Sequence, residues 1–128
     1  MNYIIAAVDD MFFAAKIRGT AEHAGIESVF ARNVSRVIES AMARPPLLII
    51  ADLHSQGIDP IELATQLKAD DSLRSIPLLG FFSHVQVELQ TQATQAGFDR
   101  VVPRSLLTKV LVEAFNPVAE KAAENETR

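Results

Sequence analysis

Apolar residues fall along this chain in two alternating rhythms. Unbroken runs of strand length, Tyr3–Val8 and Leu47–Ala51, have the pattern of strands covered on both faces, and Ile76–Phe82, entered through Pro77, is a third. Ser28–Ala31 and Arg100–Val102 are weaker strand candidates. Between the runs the period becomes helical. Phe13, Ile17, Ala21 and Ala24 recur on one face, and Gly25 stops that helix. Val34, Val37, Ile38 and Ala41 form the inward stripe of a second helix over about Val34–Arg44, ended by Pro45 and Pro46. The third opens with Asp59 as cap, Pro60 in the first turn and Glu62 in a capping-box-like position. A glutamine-rich, thinly apolar stretch, about Val85–Ala96, predicts a fourth helix held loosely on the surface and closed by Gly97. The last helix starts at Ser105 with a wide stripe of Leu106, Leu107, Val110, Leu111, Ala114 and Phe115, and Pro117 is expected to kink or end it.

Five such units predict an α/β fold, a doubly wound five-stranded parallel sheet with right-handed crossovers. Neither a linker nor a repeat interrupts the pattern. One domain over residues 1–118 is expected, with 119–128 as a polar C-terminal tail or the end of the last helix, and the 128 residues suffice for a single real core.

In a sheet of this kind ligands bind at the carboxyl ends of the strands. Asp9 and Asp10 follow the first run and Asp52 follows Leu47–Ala51, so three acids are expected side by side at that edge. They cannot all stay ionised there without a cation, which predicts a divalent-metal pocket and an aspartate able to accept a phosphoryl group. The net charge of −4 leaves no basic face for direct nucleic-acid binding. The absence of cysteine excludes disulfides, thiol catalysis and thiolate metal sites, and suits a cytoplasmic protein. No signal-peptide pattern opens the chain and no apolar run approaches the roughly 20 residues of a membrane span, so a soluble protein is expected. Gly19, Gly25, Gly57, Gly80 and Gly97 never cluster into a phosphate loop, and Ser83-His84 lacks the G-x-S-x-G turn of a hydrolase.

Over about Asn2–Phe115 the chain resembles the receiver domain of two-component response regulators. The resemblance is carried by Ile4-Ile5-Ala6-Ala7-Val8-Asp9-Asp10, by Leu48-Ile49-Ile50-Ala51-Asp52, by the turn at Gly57-Ile58-Asp59, by Ser75-Ile76-Pro77 and by Ala96-Gly97-Phe98-Asp99. It implies a flavodoxin/CheY-like (βα)5 fold with strand order 2-1-3-4-5. It implies Asp52 as phosphoacceptor, and Mg²⁺ held by Asp9, Asp10, Asp52 and the backbone carbonyl of His54. It also implies a histidine kinase or phosphotransfer protein as donor. The output expected of such a non-enzymatic module is protein–protein contact through the fourth helix, fifth strand and fifth helix.

The chain departs from the family pattern at three positions. Phe82 stands where a Ser or Thr usually ends the fourth strand; Ser83, one place later, reaches that role only through a bulge. Val101 stands where an aromatic side chain usually rotates with that hydroxyl. Arg104 stands where a lysine pairs with phosphate; it keeps the charge, and is expected at least to neutralise the resting acids. A cis Arg104–Ser105 bond would cost about 3 kcal/mol, so the following loop should take its own path. These departures describe an atypical receiver. The alternative is a phosphorylation-independent pseudo-receiver acting as a constitutive interaction surface.

His54 and His84 read as exposed loop histidines, or as groups that tune hydrolysis or join the acids on a transition metal, and His23 as a surface residue. Phe12 reads as a shield at the pocket mouth or a packed core ring. The excess apolar surface of the last helix, with Val112 and Val118, would serve a partner or homodimer contact.

Overall fold

A computed structural model describes the backbone of residues 2–126 and the side chains of residues 2–116. Strands and helices alternate as β1 (Tyr3–Ala7), α1 (Met11–His23), β2 (Glu27–Phe30), α2 (Val34–Ala43), β3 (Ile49–Asp52), α3 (Pro60–Ala69), β4 (Leu78–Phe82), α4 (Val87–Ala96), β5 (Arg100–Pro103) and α5 (Leu107–Glu126), with a 3-10 turn over Arg104–Leu106 before α5. The strands are all parallel, in the order β2-β1-β3-β4-β5.

The continuous apolar runs bury both faces of the central strands, and alternation sorts their side chains into two cores. Tyr3, Ile5, Ala7, Ile49, Ala51 and Leu78 pack on one face with Val37, Leu63, Leu67 and Ala93 of α2, α3 and α4. Ile4, Ala6, Ile50, Leu79 and Phe81 pack on the other with Phe13 and Ile17 of α1 and Leu107, Leu111 and Phe115 of α5. At the centre of β4, a Cβ on Gly80 would come within 3.0 Å of Phe98 and 3.1 Å of Leu53, so those side chains occupy the place a larger residue would need. Gly97 closes α4 at φ +124°, a conformation L-residues rarely adopt, and the aliphatic stem of Lys68 lies across the space its side chain would take.

Several expectations need correcting. α4 begins at Val87 rather than Val85, because Gln86 is extended and no side chain caps the helix. The Asp59 cap forms, to Ile61 N and Glu62 N, but Glu62 does not complete a reciprocal box, since its carboxylate accepts from Gln66 Nε2 at 3.0 Å. Ser105 and Leu106 lie in the 3-10 turn, whose tighter winding carries Leu106 off the stripe, and Ala114 is likewise exposed. Pro117 does not end the last helix, which runs on to Glu126: a proline removes one backbone bond and leaves the others in place. The side chain of Val118 and residues 127–128 of the expected tail lie outside the described residues.

Candidate functional site at the carboxyl edge

The β1–α1 and β3–α3 loops meet beyond the carboxyl ends of β1 and β3. β1 ends at Ala7 and α1 begins at Met11, which leaves Asp9 and Asp10 in the short connection between them. Asp52 closes β3, in register with Phe81 of β4. The topology thus brings the three predicted acids to one rim.

Each carboxylate is oriented by its own local hydrogen bonds. Asp10 caps α1, with Oδ1 accepting from Phe12 N at 2.9 Å and Phe13 N at 3.2 Å. Oδ2 of Asp9 accepts from Ser55 Oγ at 2.5 Å and Gly57 N at 3.1 Å, so the β3–α3 loop folds over β1. Asp52 Oδ1 accepts from His54 N at 2.8 Å. In all three one oxygen is engaged, while the other accepts no hydrogen bond among the described residues.

Asp9 and Asp10 are exposed and Asp52 is half-buried. Burial raises the Asp52 pKa above its ordinary value; the His54 amide and imidazole oppose that, and the charges of Asp10 and Asp9 add to it. Arg104, expected to neutralise the resting acids, makes no ion pair with them among the described residues, and its guanidinium lies 4.5 Å from the centroid of the Phe13 ring. The Phe13 ring in turn stacks on Phe81 at 5.3 Å and 22°. This column, Arg104–Phe13–Phe81, was not legible from periodicity, which marks Phe13 only as core. Ser55 as the partner of Asp9 was likewise missed; its only signal is a hydroxyl three residues beyond Asp52.

The register of β4 against β3 and β5 is regular through Phe82, which pairs with Pro103, so no bulge draws Ser83 inward. Ser83 is exposed and makes no side-chain hydrogen bond among the described residues, while Phe82 and Val101 pack against the α2–α4 core. His54 and His84 come together on the rim, with ring centroids 5.4 Å apart and His54 Nε2 at 3.3 Å from the His84 carbonyl oxygen. Phe12 does not join the core: it is 85% exposed. The chain contains no cis peptide among the described residues.

The donor set fits a hard divalent cation, being all oxygen, carrying three carboxylates and keeping three oxygens unengaged. Among the described residues no three acidic or histidine side chains already converge as a metal cage. The reason is local, since the cap, the Ser55 contact and the His54 amide each aim one carboxylate separately. Mg²⁺ does not require such a cage, because it keeps several of its waters and takes one or two carboxylates directly.

No family model matches the chain. It is 24% identical over 98 residues to the polar-differentiation response regulator DivK of Brucella anthropi, covering 77% of this chain and 80% of DivK. It is 24% identical over 124 residues to the phosphate regulon transcriptional regulatory protein PhoB of Pseudomonas aeruginosa, covering 97% of this chain and 54% of PhoB. An uncharacterized 76.5 kDa protein of Thiocystis violacea matches over 87% of this chain, which spans 16% of that protein. Among solved structures, a putative response regulator from Chloroflexus aurantiacus superposes with a TM-score of 0.80 at 17% identity, covering 93% of this chain and 98% of that one. The Mn²⁺-bound form of response regulator Rcp1 superposes with a TM-score of 0.75 at 13% identity, covering 88% and 91%. The chain has the receiver-domain fold; DivK and both solved structures named above are described as response regulators.

Proposed function

We propose that this chain is a receiver module of two-component signalling in which Asp52 accepts a phosphoryl group from a phosphohistidine of a kinase or phosphotransfer protein. The observation that carries this reading is the state of Asp52: half-buried at the end of a central strand, one oxygen held by the His54 amide, the other unengaged, and two further acids beside it. In the transfer, the unengaged Asp52 oxygen attacks phosphorus, the P–N bond breaks with its electrons going to the imidazole, and an acyl phosphate forms. The His54 amide aims the nucleophile by fixing its other oxygen. Bound at Asp9, Asp10, Asp52 and the His54 carbonyl, Mg²⁺ would supply the positive charge that offsets repulsion between carboxylate and phosphoryl group. Arg104 would provide a second counter-charge once it leaves Phe13. The module would act in the cytoplasm, without enzymatic activity of its own, by protein contact through α4, β5 and α5.

A second reading, a pseudo-receiver that needs no phosphate, has its own observation. The rim offers no inward hydroxyl at the end of β4, and Val101 has no ring to move. Amide NMR with Mg²⁺ and beryllofluoride, a phosphoryl mimic, separates the two. Shifts at Asp9, Asp52 and Arg104 that Asp52→Asn abolishes are expected. Unchanged spectra at millimolar Mg²⁺ would leave the pseudo-receiver.

A further inference from the structure

Resting on that reading, we infer that Phe13 is a positioning residue that holds Arg104 away from the acceptor site until a phosphoryl group draws it off, so that the α1–α5 face senses phosphorylation through this stack. Three geometries line up in one column. Arg104 lies over Phe13 at 4.5 Å, Phe13 stacks on Phe81, and Phe81 stands in register with Asp52 on one side and Val102 on the other. Arg104 leaves β5 two residues beyond Val102, so one short column spans from the acceptor strand to the counter-charge.

The charges explain why this seat is provisional. Lys16, one turn along α1, also lies over Phe13, at 5.4 Å. Two like charges share one ring, and neither has a carboxylate partner among the described residues. They line a small cleft with Ser105 and Thr108, whose hydroxyls are likewise unbonded there, although Thr20, Thr65 and Thr94 each donate to the carbonyl one turn back. A guanidinium that is itself exposed, as Arg104 is, is held only weakly by a ring face, whereas a dianionic phosphoryl group offers it two charge-assisted bonds in a matching fork. Arg104 therefore moves when the acceptor is charged and returns when it is not. Its departure uncovers one face of Phe13 beside the first turn of α5 and leaves Lys16 alone in the cleft. A conformational readout follows without a rotating aromatic on β5.

The stack is visible directly, because the Phe13 ring current shifts the Arg104 side-chain protons upfield. In the Mg²⁺-loaded protein that shift is expected to vanish on adding beryllofluoride, and to be absent throughout in Phe13→Leu. Phe13→Tyr should restore it. Phe13→Leu should also bind beryllofluoride roughly threefold more tightly, because Arg104 no longer has a competing seat. If Phe13→Leu does not fold, the wild-type Arg104 shift with and without beryllofluoride decides alone. Beryllofluoride shifts at Asp9 and Asp52 with Arg104 still over the ring would overturn this inference while leaving the acceptor reading intact. No response at Asp52 at all would overturn the acceptor reading, and this inference with it. An Arg104 without an upfield shift in the resting protein would overturn the inference alone.

Discussion

The two rims of the sheet treat polar groups in opposite ways. At the amino edge they are closed into pairs. The Tyr3 hydroxyl donates to the carbonyls of Ser40 and Arg44 under the Arg44 guanidinium, 4.1 Å from the ring centroid. Asp99 accepts from Leu78 N at 2.8 Å and meets Lys68 at 3.4 Å, while Lys68 also reaches the Arg74 carbonyl at 3.0 Å. At the carboxyl edge three carboxylates gather with no ion-pair partner among the described residues, and Arg104 lies on an aromatic ring. A fold of this kind can be built with either treatment. The amino rim shows the arrangement that favours stability, and the carboxyl rim leaves one oxygen of each acid unengaged, as the proposed metal and phosphoryl group require.

The sharpest way to break this contrast is to damage the amino rim. Asp99→Ala leaves the Leu78 amide without its side-chain acceptor and Lys68 without its carboxylate, where β4 and β5 begin. A loss of about 1–3 kcal/mol is expected, the cost of an orphaned backbone donor. Urea denaturation measures it. A variant as stable as wild type would show that the amino rim is no more dependent on its pairs than the carboxyl rim.

At the carboxyl rim the sign should reverse. Because burial raises the folded-state pKa of Asp52, the folded protein holds more protons than the unfolded chain between the ordinary carboxylate pKa and the raised one. Stability from this group therefore falls as pH rises through that window, and the loss persists at neutral pH. Asp52→Asn removes the ionisation. The variant should be more stable than wild type at pH 7 without metal, by a margin that shrinks toward pH 4. Mg²⁺ should narrow it from the other side by stabilising wild type only. Thermal melts across pH decide the matter: a less stable Asp52→Asn at neutral pH would mean that the acid is not strained in the fold.

How much of this was legible beforehand follows from which forces act locally. Runs such as Leu48–Asp52 announce buried strands because a doubly covered strand has no polar face, and Gly25, Asp59 and Gly97 end or begin helices through backbone chemistry that needs no partner. The three acids could be placed at one rim because parallel topology aligns carboxyl ends. What escaped was pairing across the chain. The capping position of Asp10 and the charge of Arg104 are visible in sequence, but Ser55 meeting Asp9 and Arg104 meeting Phe13 depend on loop paths. Like-for-opposite attraction predicted Arg104 on the acids. At this exposed rim water screens that attraction, so a flat aromatic surface competes on equal terms. Leu106 failed for a related reason: one 3-10 turn shifts a residue off a face that a uniform period assigns to the core.

The smallest expected effect isolates electrostatics from structure within the acid site itself. Asp10 has two roles, capping α1 and raising the Asp52 pKa by repulsion. Asparagine caps as well as aspartate, so Asp10→Asn should leave helix stability nearly unchanged, whereas Asp10→Ala should lose about 1 kcal/mol. With the cap intact, only the charge differs. The Asp52 titration, followed by carbon NMR of its carboxyl, should then move down toward the ordinary range but not reach it, because burial outweighs repulsion among the causes of the shift. A return all the way to the ordinary value would make repulsion the dominant cause and the site a charge cluster waiting for a cation. An unmoved titration would mean that Asp10 acts on α1 alone, which would leave Asp9 as the acid most closely coupled to the acceptor.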